Sequence, residues 1–272
     1  MRKLALTNSS RTLDRRQNPG DLVKPVELIA VKGSSSLGIV ERRIYNILIQ
    51  NAFGPALGEA GQEFKIETSS LTDNNETLNE LEISIDKLMQ CIVTVQRSDG
   101  SRDKVQLLGS NNLTSPDRPH GTLTYSIPDK LAEYLNDSKL FARLEVEVLR
   151  NFTSKYALSF YEQVSQWIDL KYIATKDFSV EELRDILGVP EGKLTTFGNL
   201  NRNAIKPALL EVNALADFTV SLIPTKTARK ITGVRIGWAV KDETGKREAY
   251  KELQRPKVGR MARITGTVEV IE

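Results

Sequence analysis

Residues 197–240 read FGNLNRNAIKPALLEVNALADFTVSLIPTKTARKITGVRIGWAV, and their pattern decides the fold. The apolar period changes within the stretch. Ile205, Ala208, Leu209 and Val212 fall at i, i+3, i+4 and i+7, one face of a helix spanning about Phe197 to Leu215. After Asp217 the period becomes two. FTVSLI (218–223) and ITGVRIGWAV (231–240) are strands, the second alternating Val234, Ile236, Trp238 and Val240 with Arg235, Gly237 and Ala239. A helix followed directly by a hairpin results. Stepping about 100° per residue places Asn199, Arg202, Asn203 and Lys206 on a face away from the apolar stripe. Asn201 projects nearer the core and ranks below these four. Arg pairs bidentately with guanine and Asn with adenine, and Lys reaches a base or a phosphate. A solvated polar face is the plainer reading of the same residues. Pro207 interrupts the helix, bending it or starting a new one there.

The hairpin tip, Pro224 to Lys230, carries Lys226, Arg229 and Lys230 and no acid. Such a tip suits a phosphate backbone or a minor groove, although basic tips also serve solubility alone. From Gly198 to Lys241 there are seven Lys or Arg against two acids, Glu211 and Asp217, while the whole chain of 272 residues carries only +3. The cationic surplus is therefore local.

Upstream, Thr153 or Ser154 caps a helix reaching about Trp167, with Ala157, Phe160, Tyr161 and Val164 as its buried stripe. Free N–H groups, a hydroxyl and a lysine at Ser154, Lys155 and Tyr156 make a candidate phosphate clamp; an ordinary N-cap is the equal alternative. Ser179 and Glu182 form a capping box for a second helix, which Gly188-Val189-Pro190 stops. Three helices and a hairpin make the winged-helix plan.

The first half repeats that order of elements without a clear sequence repeat. A flexible arm covers 1–24, with Asn18-Pro19-Gly20 as breaker. Helices follow at about Gly38–Ala52, ended by Gly54-Pro55, and at about Glu76–Met89. Strands are expected at 91–97, 103–109 and 121–127, with Ser98-Asp99-Gly100 turning the first pair, then a short helix at PDKLAEYL and a strand at FARLEVEVL. Fold class is thus α+β, two tandem winged-helix domains at 25–150 and 151–241. The tail 242–272 is highly charged, and its last part, KVGRMARITGTVEVIE (257–272), is an added edge strand or loose.

Composition excludes much chemistry. One cysteine, Cys91, rules out an internal disulfide, and with one histidine, His120, a four-ligand zinc site is effectively excluded. His120 sits in the turn-rich SPDRPHG, unsuited to a triad. GVPEGKLTT fails as a phosphate loop: three residues, not four, separate Gly188 from Gly192, and Leu194 follows Lys193. A nicking initiator needs several metal-binding histidines beside a tyrosine. The pairs Glu181-Glu182 and Asp242-Glu243 read as solvated ends. No catalytic residue, metal or cofactor is expected. No run of about 18 apolar residues occurs and no signal-like segment opens the chain, so a cytoplasmic protein off the membrane is expected.

FTSKYALSFYEQVSQW (152–167), SVEELRDILGVPE (179–191), NRNAIKPALLEVNALADFTVSLI (201–223) and RKITGVRIGW (229–238) closely resemble the iteron-binding plasmid replication initiators. That family has Ser-Lys-Tyr-Ala-Leu-x-Leu-Tyr-Glu, Glu-Leu-Arg-x-x-Leu-Gly-Val and Lys-Pro-Ala-x-x-Glu-Ile-Asn elements in this order. Here Phe160 and Val212 are conservative departures. The likeness is strong over about 150–240. It is looser over about 25–150, where VKPVELIAVKGSSSLGIVERRIYNILI is similar to the family's opening. The resemblance implies a second domain that enters the major groove of an origin repeat. It implies a first domain that dimerises and adds DNA contacts. Monomers would open the origin and recruit the host initiator protein and replicative helicase; dimers would repress their own gene at an inverted repeat. A winged-helix transcription regulator without an origin role is the main alternative, and a scaffold that binds protein only is a further one. The DNA-binding candidates are Ser154, Lys155, Tyr156, Asn199, Arg202, Asn203, Lys206, Lys226, Arg229 and Lys230.

Overall fold

A computed structural model describes residues 20–267 except 30, 55–60, 73–76, 97–99, 114–120, 139, 169 and 171. His120, Pro55, Glu76, Ser98 and Asp99 lie outside the described residues, as does most of the N-terminal arm. The chain divides into two compact units, 1–143 and 144–272.

In the first unit, strand β1 (Asp21–Pro25) already begins inside the stretch read as arm, and pairs with β7 (Phe141–Glu145). Leu22 and Val23 are buried, which holds 21–25 in place. A short helix α1 (Val26–Ile29) leads to α2 (Ile39–Ala52), whose Ile44, Ile47 and Leu48 enter the core, while Ile39 is only half-buried. Strand β2 (Glu63–Glu67) precedes α3 (Leu78–Gln90). Thr77 caps α3 with a reciprocal Glu80 carboxylate, and Leu81, Ile85 and Leu88 form its buried stripe. Lys87 donates to Glu41 at 2.6 Å and ties α3 to α2. Strands β3 (Ile92–Gln96) and β4 (Arg102–Gln106) form a two-stranded hairpin. Strands β5 (Asn111–Leu113) and β6 (Thr122–Ser126) join β2 in the order β2-β6-β5. Helix α4 (Asp129–Asp137) follows. Tyr125, fully buried, donates to the Leu48 carbonyl at 2.6 Å and pins β6 to α2.

FARLEVEVL is not one strand. β7 stops at Glu145, and Val146–Asn151 is helix α5. Val148, Leu149 and Phe152 are buried together, a spacing of one helical turn. A short run of alternating valines fits either period, and packing decides.

The second unit is built on α6 (Lys155–Ser165), every residue of which from Ala157 onward is buried. Tyr161 lies between Phe152 (5.3 Å) and Phe218 (5.6 Å). Strand β8 (Thr175–Ser179), missing from the sequence reading, leads into α7 (Val180–Leu187) through the Ser179–Glu182 capping box. Polar TKDFS has no apolar alternation to mark it. It is a strand because it pairs antiparallel with β10, Thr175 facing Gly237 and Ser179 facing Gly233. Gly233 is required there: a Cβ would stand 2.6 Å from the Phe178 carbonyl oxygen. Gly188, at φ 61°, closes α7 in the left-handed region.

The long helix of the opening stretch has three continuous parts: α8 (Phe197–Leu200), a π turn (Asn201–Ile205) and α9 (Lys206–Leu215). Strands β9 (Phe218–Thr227) and β10 (Lys230–Val240) form the hairpin, giving the sheet order β8-β10-β9. Trp238 faces Val220 in register and meets Trp167 in a tilted ring contact at 5.1 Å. This is helix, strand, helix, helix and a two-stranded wing, a winged-helix domain.

The tail contains no strand over its described residues, 242–267, and residues 268–272 lie outside them. It forms α10 (Glu243–Gln254) and α11 (Arg260–Ile264). Asp242 caps α10 by accepting from the Gly245 N–H at 2.8 Å, and Ala249 and Leu253 are buried. Part of the buried face is charged, Glu252 and Arg260, so hydropathy reads it as surface.

Candidate nucleic-acid interface

The helix α8–α9 is anchored from behind. Leu200, Ala204, Ile205, Ala208 and Val212 are fully buried, whereas Leu209, expected in the core, is only half-buried. Asn199, Arg202, Asn203 and Lys206 are all exposed, and Asn201 is intermediate. The four therefore share the outward side of the helix, with no acid among them.

Their arrangement is local and partly fixed. Thr196 caps the helix, its Oγ1 accepting from the Asn199 N–H at 3.2 Å. Arg202 Nη2 donates to Asn199 Oδ1 at 3.2 Å, and Asn203 Nδ2 donates to the Asn199 carbonyl at 3.0 Å. Asn199 thus holds the arginine by one nitrogen and leaves the rest of the guanidinium fork outward. The π turn explains how Pro207 is tolerated. Proline offers no N–H to the carbonyl four residues back and its ring crowds that carbonyl. A wider turn opens the ladder just before it, with the Lys206 N–H bonding the Asn201 carbonyl five residues back. The helix neither ends nor restarts; it widens directly beneath the polar face.

The loop before α8 is clasped by Arg184, whose Nη1 and Nη2 donate to the carbonyls of Leu194 (2.7 Å) and Lys193 (2.6 Å). Gly188 and Gly192 both occupy left-handed turns rather than a phosphate cradle. The wing is tied to the base of the helix by Asn213, which accepts from the Val220 N–H at 2.6 Å and donates to its carbonyl at 3.0 Å. Thr196, Arg184 and Asn213 position the site and lie outside the candidate set the sequence offers. The first two act through loop carbonyls and caps, which spacing does not reveal. Asn213 lies in the Glu-x-Asn element and was legible only as likeness.

At the wing tip, Lys226, Arg229 and Lys230 are all exposed. Ala228 turns the chain at φ 54°. Two of the seven cations counted in this stretch are engaged elsewhere. Arg235 makes a bidentate pair with Asp177 on β8 at 2.7 and 2.8 Å, a contact that lowers the Asp177 pKa and raises that of Arg235. Lys241 donates to the Asn213 carbonyl at 2.6 Å, and burial lowers its pKa. The acid Glu211 does not face the surface either; it is 1% exposed.

Glu211 changes the reading of Ser154, Lys155 and Tyr156. The N–H groups ahead of α6 are not free: Thr153 N donates to Glu211 at 2.7 Å and Ser154 N at 3.2 Å. Ser154 Oγ accepts from the Tyr156 N–H at 3.2 Å, as an ordinary N-cap does. Lys155 lies 5.5 Å from the Tyr156 ring centre, and all three residues are intermediate in exposure. The Thr153, Ser154 and Tyr156 amides are thus satisfied from within the protein.

Among the described residues, no group of three or more His, Cys, Asp or Glu could hold a metal, and no helix is long and apolar enough to cross a membrane.

Comparison with known proteins matches both halves of the chain. Residues 21–165 match the family described as "Initiator Replication protein, WH1". Residues 179–238 match "Initiator Rep protein, WH2". No curated relative matches the chain. Among solved structures, the chain is similar to one described as "Crystal structure of Pi initiator protein in complex with iteron DNA". The TM-score is 0.62 at 17% identity, over 84% of this chain and 100% of that one.

Proposed function

The chain belongs to the initiator Rep protein family, with its two winged-helix domains, and from that premise we propose that it is a plasmid replication initiator that binds repeated origin sites, or iterons. The observation that carries the reading is the outward face of Asn199, Arg202, Asn203 and Lys206 on a helix anchored by the buried Leu200, Ala204, Ile205, Ala208 and Val212. A helix in the major groove reads bases with such a face, and a basic wing adds phosphate contacts. Lys226, Arg229 and Lys230 supply that wing; Lys155, with Ser154 and Tyr156, supplies a flanking side-chain contact. The Pi initiator, similar in fold, is described in complex with iteron DNA, which supports the same substrate here.

On this reading the protein works by binding and not by catalysis, in the cytoplasm. Residues 25–150 dimerise and add DNA contacts, and 151–241 discriminate sequence. Monomers open the origin and engage the host initiator protein and replicative helicase. Dimers bind an inverted repeat at the protein's own promoter and repress it, which limits copy number.

Footprinting on the DNA flanking its own gene tests the proposal. Protection of direct repeats roughly 20 base pairs long, about two turns of duplex, is the expected result. Binding no tighter than to random duplex would reject it.

A further inference from the structure

Arg260 is among the largest fully buried side chains, at 1% exposure. Burying a guanidinium is costly unless it is paired and hydrogen-bonded. Its partners explain why it is there. Nη1 donates to the Asn151 carbonyl, and Nη2 to Asn151 Oδ1 at 3.1 Å. Nη1 also lies 3.7 Å from Glu211 Oε1, and Nε 3.4 Å from Glu252 Oε1. Glu211 is the α9 carboxylate that accepts from Thr153 N, Thr153 Oγ1 (2.8 Å) and Ser154 N. Arg260 and Glu211 together therefore join the end of α5, the start of α6, the back of α9 and α10.

The second carboxylate is neutralised in turn. Glu252 accepts from Arg263 at 2.7 Å and Arg255 at 3.3 Å. Gln254 donates to Glu147 at 2.8 Å, so α10 is also bonded to α5 directly. The helices that carry Glu252 and Arg260 lie C-terminal to residues 179–238, the part matching the second winged-helix domain.

We infer that residues 242–267 are a built-in brace of the reading helix, and that Arg260 is its positioning residue for DNA discrimination. The inference rests on the reading of Asn199, Arg202, Asn203 and Lys206 as the base-reading face. Glu211 stands nine positions after Arg202 on the same continuous helix. Its carboxylate fixes how α9 is rotated and how far it projects, because three donors and one cation converge on it. A binding site needs placement within about 0.5 Å and 10–20°, so a helix released at its rear loses discrimination before it loses charge attraction. Arg260 itself, being enclosed, touches no phosphate.

The test uses the full chain carrying Arg260→Gln, and the doubly neutral Glu211→Gln/Arg260→Gln, with folding checked by thermal unfolding. Affinity is measured on the footprinted site and on random duplex across a salt series. For the folded Arg260→Gln protein, the ratio of specific to random affinity should fall about tenfold or more, with an unchanged salt slope. The double variant, which leaves no unpaired charge, should still discriminate less well than wild type. An unchanged ratio in either folded variant overturns the inference. A slope flattened by about one phosphate contact also overturns it, because Arg260 would then touch DNA directly. Hydrogen exchange on the wild-type protein gives a separate check: the Thr153 and Ser154 amides should be protected, and fast exchange at both would refute the brace. If wild type itself shows no preference for any site, the proposed function fails, an outcome distinct from all of these.

Discussion

Replacing Arg202 with alanine isolates base reading from everything else the helix does. The side chain is exposed and, among the described residues, bonds only Asn199 at 3.2 Å, so the fold loses little. Alanine is also at least as good a helix former. Unfolding free energy should change by no more than about 0.5 kcal/mol. Binding is different. A bidentate arginine–guanine pair gives about 1–3 kcal/mol of discrimination, which is roughly 5- to 160-fold in affinity for the specific site. If the arginine instead met a phosphate, the loss would be equal on every sequence and the salt slope would drop by about 0.9. Fluorescence anisotropy on the protected repeat and on a scrambled duplex, at several salt concentrations, separates the two cases. The expected result is a large loss on the repeat, a small one on the scrambled duplex, and relaxed preference at one base position. Equal weakening of both duplexes would refute the base-reading role.

The wing should behave in the opposite way: Lys226→Ala or Arg229→Ala weakens binding to all duplexes and flattens the salt slope by about 0.9 per lost phosphate contact, and an unchanged slope would remove that residue from the interface. Ala228→Gly should raise stability by about 0.5–1 kcal/mol, because φ 54° is strained for alanine and open to glycine, less the added freedom of the unfolded chain; calorimetry checks the sign. Acid should loosen the second unit. Burial opposes ionisation of Glu252, but hydrogen bonds from Arg263 and Arg255 and the charges of Arg263 and Arg260 outweigh it, leaving its pKa below the ordinary 4.5. A depressed folded pKa contributes stability that is present above the unfolded value and lost as pH falls through the folded one. The unfolding midpoint should therefore fall below about pH 4.5, and Glu252→Gln should blunt that dependence.

How far the sequence could be read depends on what each element needs. The stripe Ala157, Phe160, Tyr161 and Val164 was legible because burial and period coincide, and all four are buried. The Ser179–Glu182 box and Gly188 were legible because caps are local chemistry. The exposed placement of Asn199, Arg202, Asn203 and Lys206 followed from helical geometry, even though a π turn interrupts it. The tail failed for the opposite reason. Its buried face includes Glu252 and Arg260, charges that cancel only once distant residues meet. β8 failed because a polar strand is recognisable only by its partner, β10.

The amino-acid sequence alone determined the tandem winged-helix plan, the anchored reading helix and its outward polar residues, because period, caps and turns are properties of neighbours along the chain. Tertiary structure alone decided that Glu211 caps α6, that Arg235 and Lys241 are engaged away from the wing tip, and that Arg260 locks the C-terminal helices against the reading helix. Those facts join residues up to 58 positions apart. Charge pairing at that separation depends on which surfaces the fold brings together, and no local pattern encodes it.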